Sequence, residues 1–346
     1  MKSSAQFCFT HPSGKDIYLY CLRNANQTEV LITNYGAIIM AYKIQVPDAP
    51  VNDIVLGFDN VHDYLNADYL KTYPFMGAAI GRYANRIKNA SFKIDDREYH
   101  VSKNWGDDQL HGGFDGFDKK AWDVVSFDED CNILNLKYSS PTGEEGFPGN
   151  LEVHICFELN DEDDLIYEYS ATCDEATIVN LAHHSYFNLN NGEGTIGDHE
   201  IKIYSDKILE QDENLSTTGN FIGVAGTKYD FTEFHQISER MGDGYDQSFV
   251  IDKKNDQLSI AAEVHSQKSG LKLQVMTTEP VVHFYTAQGL PKLKGKNNIE
   301  YGPWSGFCLE TQKHPNAINV PKFPNTILRP GEKYHQKNVY KVCKMK

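Results

Sequence analysis

Short β-type runs recur along almost the whole chain, and they leave room for little other than a sheet-dominated architecture. The stretches "EVLITNYGAIIMAYKIQV", "ASFKIDDREYHV", "NILNLKYSS", "LEVHICFEL", "DLIYEYSATC", "HEIKIYS", "LSIAAEVHS" and "LKLQVMTTEPVVHFYTAQ" are alternating or β-branched. Turn signals such as "NGEGTIGDH" and "LPKLKGKNN" separate them, as expected of short strands joined by tight connections. Amphipathic helical spacing is confined to two short stretches, "NVHDYLNADYL" and "FTEFHQISERM". This pattern predicts an all-β chain: a large antiparallel β-sandwich or barrel-like fold with few short helices. No linker, low-complexity tract or repeat divides the 346 residues, so a single domain over residues 1–346 is expected.

Charge narrows the range of partners. With 33 Lys and Arg against 48 Asp and Glu, the formal net charge is −15, which argues against nucleic acid, since phosphate-backbone binding needs clustered cations. The start "MKSSAQFCFTHPSGK" has no apolar stretch of signal-peptide length, and no later window approaches a membrane span; a cytoplasmic chain with no membrane partner is expected. The seven cysteines, Cys8, Cys21, Cys131, Cys156, Cys173, Cys308 and Cys343, are scattered, without a CxxC pair or zinc-type spacing, and read as reduced thiols.

The stretch "VNLAHHSYFNL" (179–189) places two imidazoles side by side. With the period of two of a strand, Val179, Leu181, His183, Ser185, Phe187 and Leu189 share one face, and Asn180, Ala182, His184, Tyr186 and Asn188 the other. The first face is core-like, which makes His183 structural or supporting. The second is polar and makes His184 the chemical candidate, although two histidines bonded to backbone would explain the same residues. The same test on "SGFCLETQKHPNAI" sets Phe307 and Leu309 against Cys308, Glu310 and Gln312. A carboxylate so flanked is expected to be partly desolvated, an environment suited to proton abstraction, whereas pairing with a nearby lysine would be the ordinary alternative.

Two Gly-marked stretches are also rich in polar groups: "GAAIGRYANRI", with Arg82, Asn85 and Arg86, and "DDQLHGGFDGFDKKAW", with His111. Close backbone approach to a ligand and a simple tight turn explain them equally well. In "GDGYDQSF", Asp243 and Asp246 read locally as turn residues. Metal binding is not expected: the paired histidines point to opposite faces, and neither HExxH nor an EF-hand loop occurs. Phosphate-loop and dinucleotide fingerprints are missing too. Imidazole, carboxylate, guanidinium and aromatic groups remain, a set fitted to proton transfer on a neutral polyhydroxylated molecule.

In order along the chain stand "TNYGA", "LGFDN", "GRYANRI", "LHGG" with Trp122, "GEEGFPGNL", "HSYFNL", "GYDQSF", "LETQKHPNAIN" and "FPNTILRPGE". With this ordered set the chain resembles the aldose 1-epimerase family over essentially its whole length. The resemblance implies a galactose mutarotase-like supersandwich with an open cleft. It also implies interconversion of the α and β anomers of free hexoses such as galactose and glucose, a small-molecule monosaccharide as partner, no metal or other cofactor, and a monomer or weak homodimer. Residue by residue, it makes Glu310 the general base and His184 the general acid. It gives Asn85, Arg86, His111 and Asp246 to sugar binding, with His183, Tyr186 and Gln312 as supporting residues. Two departures bear on hydrogen bonding at the sugar: position 183, often asparagine in the family, is His183, and the common "DHNF" is Asp246, Gln247, Ser248 and Phe249. Rival readings are a hexose-phosphate 1-epimerase drawing on Arg82, Arg86 and Lys313, a glycosidase using Glu310 and Asp246, and a non-catalytic sugar-binding protein.

Overall fold

The computed structural model describes residues 3–45, 50–72, 74–253 and 255–345, so Val46, the last residue of the first run quoted above, lies outside them. Among the described residues, strands dominate and three sheets organise them. A nine-stranded antiparallel sheet runs, in spatial order, Asp123–Asp128, Ile133–Ser140, Leu151–Leu159, Asp164–Cys173, Tyr334–Lys344, Leu271–Thr277, Ser259–Ser266, Glu200–Ile203 and His235–Gln236. A five-stranded sheet at the amino-terminal end takes its strands in chain order, from Ser4–Thr10 to Asn52–Asp53. A second five-stranded sheet is ordered Thr217–Gly223, Lys207–Gln211, Asp246–Val250, Val281–Tyr285 and Cys308–Gln312.

Alternation along each strand explains why the sheets stack. In Leu151–Leu159, buried Leu151, Val153, Ile155, Phe157 and Leu159 alternate with more exposed residues, so one face is apolar and needs a partner layer. One cluster of buried side chains joins that face to the other two sheets. It contains Leu136, Ile155, Tyr167 and Val275 of the large sheet, Leu22, Val30 and Ile39 of the amino-terminal sheet, and Phe249, Val282, Phe284 and Leu309 of the third. Each large apolar side chain buried in this way contributes about 1.5–3 kcal/mol. The architecture is therefore the antiparallel β-sandwich expected from the runs.

Helix is scarcer than the periodicity suggests. "NVHDYLNADYL" forms a 3₁₀ turn at Val61–Leu65 and a single α-helical turn at Ala67–Leu70, capped by the Asn66 side chain on Asp68 N. "FTEFHQISERM" is not a helix: His235–Gln236 is an edge strand and only Ile237–Glu239 makes a 3₁₀ turn. The apolar residues of that segment are claimed by the sandwich, Phe231 and Ile237 both belonging to the main core, so tertiary packing overrides a weak helical period. Among the described residues no helix is long and apolar enough to cross a membrane, and all seven cysteines are free.

Candidate active site

Three adjacent strands of the third sheet build one wall of a cavity of about 250 Å³. In their register Ser248 faces His283 and His283 faces Glu310, while Asp246 faces Tyr285 and Tyr285 faces Cys308. Side chains directly opposite one another point to the same side of a sheet, so these form two rows on one face. The opposite face carries Phe249, Val282, Phe284, Phe307 and Leu309 into the core. Alternation thus delivers Glu310 to the cavity, as read from "GFCLETQ".

The stretch 179–189 is extended but mostly unladdered: Ala182–His183 pairs with Ala79–Ile80, and Phe187 bridges Val55 and Phe307. The two faces nevertheless separate as expected. His183 is buried, with Nδ1 against Ser185 Oγ (3.1 Å) and Nε2 against Ala37 O (3.2 Å). His184 and Tyr186 line the cavity. The polar face is only partly a binding surface, however. Asn180 accepts from Lys313 N and donates to Ala84 O, and Asn188 donates to Ser305 O, so both amides serve backbone. Gln312 is fully buried and does not line the cavity.

The remaining wall comes from the Gly-marked stretches. Arg86–Ile87 pairs with Gln109–Leu110, which brings Asn85 and His111 together: His111 N donates to Asn85 O (3.1 Å) and Asn85 N to His111 Nδ1 (3.2 Å). Both residues adopt left-handed backbone (φ +62° and +50°), conformations that hold only where the surroundings impose them. The next two residues, Gly112 and Gly113, are left-handed as well, and a Cβ on Gly112 would collide with Gly81 O. Glu145 secures this loop, accepting from Phe114 N (3.1 Å) and Asp115 N (2.9 Å). Asp246 opens a strand rather than sitting in a turn, whereas Asp243 is exposed outside the wall.

Arg82 does not take part. It is 2% exposed and donates to Ser140 Oγ and O and to the carbonyls of Pro141, Pro148 and Gly149 at 2.7–2.9 Å, so it is an architectural cation. Lys313 pairs with Glu279 (3.0 Å). Among the described wall residues Arg86 is the only Lys or Arg, which removes the cationic cluster that a phosphate-binding rival would need.

Inside the cavity His184 Nε2 lies 3.6 Å from Glu310 Oε1, and His184 Nδ1 lies 3.5 Å from Cys308 Sγ. The His184 ring stacks on Tyr186 (centroids 5.0 Å apart) and on Phe75 (5.9 Å), and meets His111 edge-on (5.3 Å). Its backbone is tied at both ends, N to Ala78 O and O to Gly77 N (both 2.9 Å). Burial lowers the His184 pKa, and the Glu310 charge opposes that shift. Burial, with the positive charges of His184 and Arg86, holds His111 well below the usual imidazole range. Asp246 is lowered: burial acts against this, but the His283 hydrogen bond and the charges of His283, Arg86 and His184 outweigh it. Two wall groups have buried polar atoms with no hydrogen-bond partner among the described residues, Glu310 Oε2 and Arg86 Nε. Such atoms are rare in folded proteins and call for a ligand or water.

One atom each of His111, His184 and Glu310 lies within 4.8 Å of the others, close enough for a transition metal to bridge. The tautomer of His111 opposes that use. Its neutral ring accepts the Asn85 amide hydrogen at Nδ1, so the ring proton sits on Nε2, and a metal ligand needs that lone pair free. His111 is instead a neutral donor.

Residues missed by the sequence reading include His283 and Tyr285, with Phe75, Trp105, Leu215 and Gln288 on loops. The first two had a signal: in "VVHFY", Val281, His283 and Tyr285 alternate with core residues Val282 and Phe284.

His183 supplies a stability test. Its buried ring has a pKa lowered to about 3 by desolvation. Between pH 6.5 and 4 the unfolded chain binds a proton at this position that the native protein refuses, so stability falls as pH falls. At about 1.36 kcal/mol per unit, this site accounts for about 3 kcal/mol of destabilisation at pH 4. In denaturant unfolding at several pH values, His183→Asn is expected to flatten the decline by about that amount. An undiminished slope in the variant would refute the assignment.

A β-sandwich that gathers three imidazoles, two carboxylates and one guanidinium around a partly aromatic cavity has the acid–base and hydrogen-bonding groups of a class suited to uncharged polyhydroxylated molecules. The family model for aldose 1-epimerase matches residues 18–341. A human galactose mutarotase is 41% identical over 318 residues, 90% of each chain, and an aldose 1-epimerase of Escherichia coli K12 is 34% identical, covering 95% of this chain and 96% of its own. The crystal structure of a GalM/aldose epimerase homologue from C. elegans superposes with a TM-score of 0.88 at 28% identity, covering 99% of this chain and all of the other. The chain belongs to the aldose 1-epimerase family.

Proposed function

We propose that this protein is an aldose 1-epimerase that interconverts the α and β anomers of free hexoses such as D-galactose and D-glucose, with Glu310 as general base and His184 as general acid. The observation that carries the assignment of roles is their pairing at 3.6 Å in the wall of a sugar-sized cavity, with Glu310 Oε2 buried and without a hydrogen-bond partner among the described residues.

Anomerisation moves two protons. Ionised Glu310 takes the proton of the C1 hydroxyl while protonated His184 gives one to the ring oxygen, so the C1–O5 bond breaks and an aldehyde forms. Rotation about C1–C2 presents the other carbonyl face, and the same two groups run in reverse to close the ring. Each positioned acid or base supplies about 10²–10⁴-fold in rate. His111 Nε2–H, Arg86 and Asn85 act as donors to sugar hydroxyls, Asp246 as an acceptor, and the Tyr186 and Phe75 rings hold His184 flat. All of these come from one chain, which fits a monomer or weak homodimer. The continuity of the core across the three sheets supports treating the chain as one domain.

Polarimetry of freshly dissolved α-D-galactose and α-D-glucose tests the activity, with glucose 6-phosphate as the comparison; no acceleration over the spontaneous rate would refute it. The pH profile tests the roles. His184 must be protonated, and burial lowers its pKa, so the imidazole gives up its proton at lower pH than an ordinary histidine. The alkaline limb of kcat/KM is therefore expected below about 6.5, and the limbs belong to the coupled pair. A limb above about 7.5 would assign the proton to another group.

A further inference from the structure

The carboxylate of Asp246 is not held by the sugar site alone. His283 Nε2 lies 2.8 Å from Asp246 Oδ1, and His283 Nδ1 lies 2.9 Å from Ser248 Oγ. The register explains the arrangement. Ser248 and His283 are directly opposed on neighbouring strands, and Asp246, two residues before Ser248, lies on the same face as a diagonal neighbour within reach of a long side chain. Ser248 and His283 are 1% and 3% exposed, while Asp246 keeps 24% of its side-chain surface. The chain of groups thus runs from the interior to the cavity. His283 and Asp246 line the cavity, and Ser248 does not.

Donor and acceptor roles follow. An ionised aspartate only accepts, so Nε2 must donate to it, and the Ser248 hydroxyl, able to do either, completes the ring's other side. A carboxylate on a broad terminal torsion is otherwise free to turn. Here one oxygen is committed, and no hydrogen bond from the described residues reaches Oδ2.

We propose that Ser248 and His283 are positioning residues that lock Asp246 so that a single carboxylate oxygen faces one hydroxyl of the sugar, making this three-residue chain the element that sets selectivity at that hydroxyl. The proposal rests on the reading of the cavity as a sugar site. It attaches a function to Ser248, one of the departures from the usual family residues, and to His283.

The test compares kcat/KM for D-glucose with that for its 2-, 3-, 4- and 6-deoxy analogues, by polarimetry, in wild type, His283→Leu, His283→Gln and Ser248→Ala. A hydrogen bond to a fixed charged acceptor should make wild type discriminate against one deoxy sugar by roughly 10- to 100-fold. His283→Leu is expected to reduce that ratio to within about 3-fold, mainly through KM, with ratios for the other deoxy sugars unchanged. His283→Gln, whose amide N–H can still donate to Asp246, should restore it, and Ser248→Ala should give an intermediate ratio. The proposal is overturned if His283→Leu keeps the wild-type ratio, if His283→Gln is as impaired as leucine, or if Ser248→Ala leaves every ratio unchanged. Should His283→Leu fail to show a cooperative melt, the Ser248→Ala and His283→Gln pair decides alone. If wild type itself shows no turnover, the epimerase reading fails, and equilibrium binding of the same sugars to the same variants still measures the ratio.

Discussion

Glu310→Gln is expected to lower polarimetric kcat by about 10²–10⁴-fold, the range for removal of a positioned base, while the protein still melts cooperatively. The substitution keeps side-chain shape, so the packing of Cys308 and Leu309 on either side is undisturbed. What it removes is the ability to take the proton of the C1 hydroxyl. A second effect works in the same direction. The Glu310 charge is the main influence raising the His184 pKa against burial, and a neutral amide at 310 leaves the imidazole still harder to protonate. The variant therefore loses the base and weakens the acid together. A rate within tenfold of wild type, in a sample with a normal melting curve, would remove Glu310 from the mechanism.

His184→Asn is expected to cause a loss of similar size, about 10²–10⁴-fold, because an amide cannot supply the proton that the proposed mechanism takes from the imidazolium to the departing ring oxygen. Asparagine preserves polarity but not the ring that stacks between Phe75 and Tyr186, so part of the loss will come with a lower melting temperature. The double variant separates the two contributions. If acid and base act as one unit, Glu310→Gln with His184→Asn should be little slower than the worse single variant, since either loss alone stops the concerted transfer. Multiplicative losses would mean that the two residues act in separate steps.

How much of this was legible without coordinates depended on the range of the interaction. The period of two in "VNLAHHSYFNL" and "GFCLETQ" sorted His183 from His184 and turned Glu310 away from the core, because alternation is local backbone geometry. It also overstated the polar face: Asn180 and Asn188 spend their amides on backbone groups of Ala84, Lys313 and Ser305, all distant in sequence. Arg82 and Arg86 stand four residues apart in one motif. Only the carbonyls of residues 140–149, folded against Arg82, reveal that it is architectural. The short helix expected around "FTEFHQISERM" failed because Phe231 and Ile237 were worth more to the sandwich core than to a helical stripe.

The amino-acid sequence by itself determined the class of fold, the absence of long helices, the family resemblance and the two residues proposed for proton transfer, all of which rest on spacing along a few residues or on ordered motifs. The tertiary structure alone decided what surrounds those residues: the 3.6 Å approach of His184 to Glu310, the neutral tautomer of His111, and the Ser248, His283 and Asp246 chain. These depend on which strands become neighbours and in what register. Strand neighbours are chosen by burying the apolar faces of all three sheets at once, a sum over the whole molecule that no single segment carries.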